Sequence, residues 1–201
     1  MHIGFNAHLL SAARTYRAAG IKVYIHNLLL NITELDRQNR YTVFLSDRRA
    51  LADYPSLQLE LSHLPTATSP GARILWEQMI QPIEVIRLGI DLLHSLAFVQ
   101  PLLRPCLSVV TIHDLSFILF PSSFRQLNRL YLSYLTRLSV KEANMVIAVS
   151  QNTKRDLVRL FGLDEEKACV IYHGVNEGFQ PVANRSLEDF RRRRELPESF
   201  I

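Results

Sequence analysis

The feature that most constrains the fold is a regular alternation of short apolar runs with longer stretches of helical spacing. Residues 91–94 and 107–112 are continuous apolar runs, which are typical of strands buried on both faces of a parallel sheet. Between residues 20 and 35, apolar side chains recur at the spacing of an amphipathic helix. The alternation predicts an α/β protein with a doubly wound, mostly parallel sheet and helices on both faces.

The same patterns place the elements along the chain. Strands are predicted over residues 3–7, 41–45, 57–61, 91–94, 107–112, 145–149 and 169–172. Helices are predicted over residues 20–35, 72–88, from 124 onwards, over 151–161 and at 191–194. Pro82 is expected to kink the second helix, because proline has no N–H to donate. Residues 200–201, after Pro197, resemble the start of a further strand.

Two of these helices have capping signals. Ser123 precedes Phe124 and is followed three residues later by Gln126, the spacing of a capping box. Ser150 is placed to cap the helix over 151–161. In the helix that follows Phe124, six apolar side chains share one face: Leu127, Leu130, Tyr131, Tyr134, Leu135 and Leu138.

Composition narrows the class of protein. Apolar residues make up 48% of the 201 residues and charged residues 21%, which is ordinary for a globular α/β domain. The net charge is +4, but residues 61–184 have 11 Lys and Arg against 10 Asp and Glu, so a nucleic-acid partner is not expected. The mild basic excess is compatible with phosphorylated small molecules or an anionic membrane surface.

Three further features favour the cytoplasm. Cys106 and Cys169 form no CxxC pair, which is typical of free thiols in a reducing compartment. The first residues have no basic region followed by an apolar run, so no signal peptide is predicted. No apolar stretch approaches about 18 residues, the length that spans a membrane. We expect a cytoplasmic protein, and peripheral contact with the inner face of the membrane stays open.

Six short motifs occur along the chain, most of them at the ends of predicted strands. They are Ala19-Gly20-Ile21, Leu75-Trp76-Glu77-Gln78, Asp91-Leu92-Leu93-His94-Ser95, Thr111-Ile112-His113-Asp114-Leu115, Ile147-Ala148-Val149-Ser150-Gln151-Asn152-Thr153 and Val170-Ile171-Tyr172-His173-Gly174-Val175. In this order, the motifs resemble the bacterial group 1 glycosyltransferases, a retaining, family 4-like group. Its members have the GT-B fold of two facing Rossmann-like domains.

This resemblance implies an enzyme of which the chain is one half. Residues 1–183 would be the N-terminal, acceptor-side domain, and residues 184–201 would connect it to a C-terminal donor domain outside this sequence. The whole enzyme would move a sugar from a nucleotide diphosphate sugar to a glycan or lipid-linked acceptor with retention, assisted by the leaving phosphate. No cofactor and no metal are expected, and the chain alone is expected to be inactive.

His113 is the candidate catalytic residue. It follows the most apolar strand, at the carboxyl end where α/β sheets place their ligands. The resemblance implies a hydrogen bond between its imidazole and a hydroxyl of the transferred sugar. Two alternatives stay open: a strand-end histidine that satisfies a backbone carbonyl, and a structural pair with Asp114. A metal-ligand role is disfavoured because the histidines show no HExxH or comparable spacing.

The loop before the first helix is the candidate donor-phosphate site. The resemblance implies that the loop Ala19-Gly20-Ile21 faces the donor diphosphate, to which Gly20 and Ile21 would offer backbone N–H groups. Unsatisfied donors at a helix N-terminus attract anions. The alternative is a glycine that merely permits a tight turn. The family usually has two consecutive glycines where this chain has Ala19-Gly20, and it more often has Asn-Gly in place of His173-Gly174.

Other loops at the same edge are candidate acceptor contacts. These positions are Tyr16, Arg17, Ser95, Asp114, Phe117, Ser150 and Gly174. For the loop residues among them, a cap or a solvated loop is the alternative. The helix face with Arg125, Arg129, Arg137 and Lys141 is either solvated or in contact with an anionic membrane.

Two other classes of function compete with the transferase. One is a non-catalytic interaction module that reuses the fold, because fold alone does not give function. The other is a self-contained nucleotide-binding enzyme, which is disfavoured because no GxGxxG lies between a strand and a helix. A second βαβ domain after Ile201 would support the transferase.

Overall fold

The computed structural model of the chain describes residues 1–10, 19–46, 54–55, 57–61, 70–175 and 184–197. The strands are β1 His2–Asn6, β2 Arg40–Leu45, β3 Gln58–Leu61, β4 Leu92–Ser95, β5 Leu107–Ile112, β6 Met145–Ala148 and β7 Ala168–Val170. The helices are α1 Ala19–Leu35, α2 Pro70–Leu75, α3 Gln81–Leu88, α4 Ser116–Leu119, α5 Gln126–Glu142, α6 Gln151–Phe161 and α7 Asn184–Arg193.

The described strands form one parallel sheet in the order β3-β2-β1-β4-β5-β6-β7. The order reverses between β1 and β4, which is the switch point where open α/β sheets bind ligands. Because every described strand pair is parallel, all carboxyl ends lie at one edge of the sheet. The predicted Rossmann-like, doubly wound sheet is confirmed.

Alternating side chains of the strands build a core on each face of the sheet. Val43 packs in a cluster with Ile25 of α1, while the neighbouring Phe44 packs with Trp76 and Val85 in a second cluster. Successive strand residues point to opposite faces, so this switch between neighbours places α1 on one face and α3 on the other. The prediction of helices on both faces is confirmed.

The predicted helix over residues 72–88 is interrupted before its proline. Trp76–Ile80 forms a π-helical segment between α2 and α3, and Pro82 lies in the first turn of α3. Because Pro82 cannot donate to a preceding carbonyl, the regular ladder cannot run through this point. The irregularity therefore precedes Pro82. It buries Trp76 and Glu77 side by side.

The capping box predicted at Ser123 is wrong. Pro121–Ser123 forms a 3₁₀ turn, in which the Ser123 N–H donates to the Phe120 carbonyl at 3.1 Å. Phe124 is extended, and α5 begins two residues later than expected, with Arg125 as a cap residue that makes no side-chain capping bond. Because Ser123 belongs to the turn that Pro121 begins, its side chain lies too far before α5 to cap that helix.

The apolar face predicted on α5 is buried only in part. Leu127, Leu130 and Tyr134 are 81%, 53% and 66% exposed, Tyr131, Leu135 and Leu138 are half-buried, and the fully buried residues are Thr136, Ser139 and Val140. The reason is polar anchoring: the backbone N–H of Gln100 donates to the Ser139 hydroxyl at 3.0 Å, and its side-chain amide donates to the Ser139 carbonyl at 2.9 Å. These bonds turn the small polar face inward.

The remaining elements follow the sequence closely. Ser150 caps α6 and its hydroxyl accepts from the Thr153 N–H at 3.0 Å, so the predicted cap is confirmed. The last strand, β7, ends at Val170, two residues earlier than predicted. Helix α7 includes three of the four consecutive arginines, and Arg194 lies in the turn that follows. The strand start predicted at residues 200–201 lies outside the described residues.

Candidate active site

His113 stands at the carboxyl end of β5, as the first residue after the strand. Its Nε2 lies 2.9 Å from the Leu96 carbonyl oxygen, which can only accept, so Nε2 bears the proton. The alternative of a strand-end histidine that satisfies a carbonyl is therefore observed. This hydrogen bond uses only one of the two ring nitrogens, and Nδ1 is left as a hydrogen-bond acceptor.

Three rings surround the imidazole of His113. Tyr24 of α1 meets it edge to face at 5.0 Å between centroids, Phe98 of the β4–β5 connection lies at 5.8 Å, and His173 after β7 lies at 5.4 Å. Tyr24 also stacks on His173 at 4.9 Å. The site thus joins side chains from four parts of the chain at one sheet edge.

A buried network supports Tyr24 from below. His94 of β4 bonds through Nε2 to the Thr111 hydroxyl at 2.8 Å, and the Tyr24 hydroxyl lies 3.3 Å from the same Thr111 oxygen. Burial lowers the pKa of His94 to about 4, so this imidazole is neutral at physiological pH. The network fixes the α1 ring that contacts both His113 and His173.

His113 is also neutral at physiological pH. Burial lowers its pKa, the nearby His173 lowers it further, and the Leu96 carbonyl and Asp114 act against the shift. The Asp114 carboxylate accepts the backbone N–H of Ser116 at 2.8 Å and also binds the Ser116 hydroxyl. Asp114 therefore binds the first residue of α4, and the hydrogen bond of the His113 ring goes to Leu96 and not to Asp114.

The candidate phosphate residues lie in the first turn of α1. Gly20 is the second residue of the helix, has no left-handed φ, and has open space where a Cβ would be. Gly20 therefore lies within the helix itself, without the backbone angle that favours glycine in a turn. Tyr24, whose ring contacts His113, lies one helical turn beyond Gly20. Tyr16 and Arg17 lie outside the described residues.

The other candidate contacts have mostly structural roles here. Ser95 is not on a loop but ends β4, fully buried, and Phe117 is buried in α4 against Phe98. Ser150 caps α6, and Thr153 of that helix donates to the His113 carbonyl at 3.3 Å. Gly174 is exposed beside His173, and it is one of the candidates that remains open to a ligand.

A buried polar cluster lies under the switch point. The Asn6 side-chain amide, at the end of β1, donates to Glu77 at 3.4 Å and to Gln81 at 3.2 Å. Burial raises the pKa of Glu77 to about 7, and lowers that of nearby His8 to about 3. Five polar atoms of the cluster find no hydrogen-bond partner within the described part of the chain: His8 Nδ1 and Nε2, Glu77 Oε2, Gln81 Nε2 and Ser95 Oγ.

The described residues contain neither a metal-binding cluster nor a membrane-spanning helix. No group of three or more His, Cys, Asp or Glu side chains is arranged there to hold a metal ion. Among those same residues, no helix has the length and apolar character needed to cross a bilayer.

The comparison that decides the family is a match over most of the chain. The profile of Glycosyltransferase Family 4 matches residues 4–179. The chain belongs to this family. Its His113, Gly20 and Tyr24 all lie within the matched region, so the site described above is part of the shared family 4 domain.

Relatives agree with this assignment. The family 4 chain is 36% identical over 77 residues to the O-antigen chain mannosyltransferase RfbU of Salmonella typhimurium, which covers 38% of the chain and 21% of that protein. It matches Anabaena HepE in complex with UDP-glucose with a TM-score of 0.55 and 18% identity, over 100% of the chain and 51% of HepE.

Two further solved structures have the same fold. A glycosyltransferase from Rickettsia africae matches with a TM-score of 0.52 and 15% identity, over 98% of the chain and 50% of that protein. The lipopolysaccharide outer core galactosyltransferase WaaB matches with a TM-score of 0.55 and 11% identity, over 88% of the chain and 46% of that protein. The chain thus spans about half the length of these glycosyltransferases, as expected for one half of a GT-B fold.

The site includes residues that the sequence did not indicate. Tyr24 lies at helical spacing from Gly20, and that spacing is the signal that could have placed it beside the phosphate loop. His173 was noted only as a departure from the family pattern. Phe98 gave no signal, because its role depends on backbone conformation and on contacts across the sheet edge.

Proposed function

We propose that the chain is the acceptor-side half of a retaining glycosyltransferase that uses a nucleotide diphosphate sugar and acts on a glycan or lipid-linked acceptor. The observation that supports this most is His113, held neutral at the carboxyl edge of the sheet inside the matched family 4 region. RfbU is named a mannosyltransferase and HepE is crystallised with UDP-glucose. Both favour a glycosyl donor activated by a nucleotide.

His113 serves the transferred sugar as a hydrogen-bond acceptor. Since Nε2–H donates to the Leu96 carbonyl, Nδ1 is the atom that accepts a hydrogen bond from a hydroxyl of the sugar. A neutral imidazole in a partly buried site strengthens such a bond, because the surrounding dielectric is low. The bond orients the sugar so that its anomeric carbon faces the acceptor.

The first turn of α1 receives the diphosphate. The N–H groups of Ala19, Gly20 and Ile21 have no partner within the helix, and the helix dipole adds partial positive charge at this end. Glycine suits a position where phosphate must approach the backbone closely, and the open space at Gly20 leaves room for it. As the bond to the sugar breaks, these donors stabilise the charge that develops on the leaving phosphate.

The acceptor reaches the site from an anionic membrane surface on which α5 lies. Residues 115–141 include four basic side chains and no Asp or Glu. The outer face of α5 exposes Leu127, Leu130 and Tyr134 beside Arg137 and Lys141. Apolar side chains that insert at a headgroup boundary, together with basic ones that attract anionic lipid, are the features of an interfacial helix.

The activity is tested by comparing the chain with a version extended by the coding sequence that follows it. We expect the extended protein to transfer sugar from one member of a panel of nucleotide sugars, with the anomeric configuration of the product retained. We expect the 201-residue chain to bind nucleotide sugars at about millimolar concentration or more weakly, and to transfer none. Robust turnover by the chain alone would show that it is not a half-enzyme.

A further inference from the structure

Phe98 adopts a backbone conformation that its side chain disfavours. Its φ is 57°, and the other described non-glycine residue with positive φ is Glu195, in the turn that ends α7. A bulky aromatic residue in this left-handed region is strained and persists only where its surroundings enforce it. Such strain is concentrated at functional sites, so the contacts of Phe98 are informative.

Three contacts hold the left-handed turn in place. The Phe98 N–H donates to the Thr111 carbonyl at 3.0 Å, on the strand that ends just before His113. Its ring meets Phe117 edge to face at 5.9 Å. Two residues on, Gln100 is bound to Ser139 of α5 through its backbone and its side chain. The turn is therefore fixed at both ends, independently of any ligand.

The turn presents two groups to His113. Leu96, two residues before Phe98, offers the carbonyl that binds His113 Nε2 at 2.9 Å, and the Phe98 ring lies against the imidazole at 5.8 Å. An ordinary right-handed or extended residue at this position would redirect the chain between these two groups. The strained φ thus has a local consequence, which is the simultaneous approach of a carbonyl and an aromatic ring to one imidazole.

We propose that Phe98 is a positioning residue for His113, whose left-handed turn holds the imidazole in its Nε2–H form with Nδ1 available to the substrate. The inference rests on the proposed role of His113 in transfer, but its structural half can be tested without turnover. Tyr24, His173 and Asp114 face the same ring, so their effects on His113 are constant background when only Phe98 is changed.

The test uses two variants that separate the ring from the turn. Phe98→Gly removes the ring but accepts left-handed φ without strain, whereas Phe98→Val removes the ring and opposes the turn. Phe44→Leu is the matched control, because Phe44 is a buried core aromatic that contacts Trp76 and not His113. In each protein, nitrogen NMR shifts of the His113 ring report its tautomer and its titration, with the signal assigned by His113→Gln.

We expect Phe98→Gly to keep the Nε2–H tautomer while the pKa of His113 rises towards its ordinary value, because the ring no longer covers it. We expect Phe98→Val, where it folds, to show both tautomers. In the extended enzyme, Phe98→Gly should lower kcat by roughly ten- to a hundredfold with little change in donor KM. His113 signals in Phe98→Gly that are as unchanged as those in Phe44→Leu would overturn the proposal. If the signals shift while His113→Ala keeps full turnover, the positioning stands and the proposed role of His113 fails.

Discussion

The side-chain amide of Asn6 donates to the carboxyl group of Glu77 at 3.4 Å, across 71 residues of sequence. Asn6 ends β1 and Glu77 lies in the π-helical segment, so this bond ties the switch point of the sheet to the helix that covers it. Because Glu77 is fully enclosed, its pKa is raised to about 7 despite the opposing charge of Arg73. The carboxyl group of Glu77 therefore stays protonated to a higher pH in the folded protein than an exposed glutamate does.

This buried acid makes stability depend on pH. The pKa of Glu77 is raised from 4.5 to about 7, so the folded state retains a proton that the unfolded state has lost in this range. The free energy of unfolding should therefore fall as pH rises from 4.5 to 7, by about 3 kcal/mol from Glu77 alone. Glu77→Gln should abolish that loss, and denaturant unfolding across the range measures it.

The informative quantity is the difference in the free energy of unfolding between Glu77→Gln and the wild type, measured at each pH. The pKa values of His8 and His94 are lowered to about 3 and about 4. These two histidines therefore reduce the free energy of unfolding as pH falls below 6.5, whereas Glu77 reduces it as pH rises. Their effect is common to both proteins and cancels in the difference. A difference that is the same at every pH would show that Glu77 has the same pKa in the folded and unfolded states, contrary to its burial.

Removal of the His113 side chain should damage catalysis and stability by different amounts. In the extended enzyme, His113→Ala should lower kcat by roughly ten- to a thousandfold, the range for one hydrogen bond tuned to the transition state. Stability should fall by about 1–2 kcal/mol, since the bond to Leu96 is lost. His26→Ala is the matched control, because His26 is also half-buried and its Nδ1 is hydrogen-bonded to the Tyr54 hydroxyl at 2.6 Å. Equal kcat in the two variants would show that His113 has no role in catalysis.

A side chain at Gly20 should impair donor binding more than folding. If phosphate approaches Gly20 as proposed, Gly20→Val places a methyl-bearing carbon in its way, so we expect a raised donor KM and a reduced kcat in the extended enzyme. The melting temperature should change by only about 2 °C, because valine is no worse in a helix than glycine and no neighbour is crowded. Gly71→Val, at the same second position of α2, is the control that should leave kinetics unaltered. Ala19→Gly should be tolerated.

The outer face of α5 should bind anionic vesicles. The 201-residue chain should associate with phosphatidylglycerol vesicles, more weakly with phosphatidylcholine vesicles, and less at high salt. Replacing Leu127 and Leu130 together by Ser should weaken association by at least about tenfold, and replacing Arg137 and Lys141 by Glu should do the same. Co-sedimentation measures both effects.

The matched control for α5 lies on α1. Val23 and Leu30 are also exposed apolar residues, 55% and 41%, and their joint replacement by Ser should leave vesicle binding unchanged. Equal loss in the two double variants would make the effect non-specific. If the chain instead forms a concentration-dependent dimer that only the α5 variants dissociate, a second copy covers this face and the membrane proposal is wrong.

The sequence by itself determined the sheet. The apolar runs that became β4 and β5 are recognisable because strands buried on both faces have no solvent side to alternate with. The Ser150 cap and the start of α1 could also be predicted from the sequence, since a side-chain cap and a helical repeat depend on a few neighbouring residues. His113 could be placed at the carboxyl edge for the same reason: its position follows from the end of a strand.

Only the tertiary structure determined the features that depend on residues far apart in the sequence. The inward face of α5 includes Ser139, which is bound by Gln100 39 residues earlier in the sequence, while Leu127, Leu130 and Tyr134 of the apolar stripe face outward. The proline turn moved the start of α5 away from Ser123. The tautomer of His113 depends on the Leu96 carbonyl, which a strained φ at Phe98 helps to aim. Each of these outcomes depends on a hydrogen bond or a backbone angle fixed by distant packing, and local spacing contains no information about either.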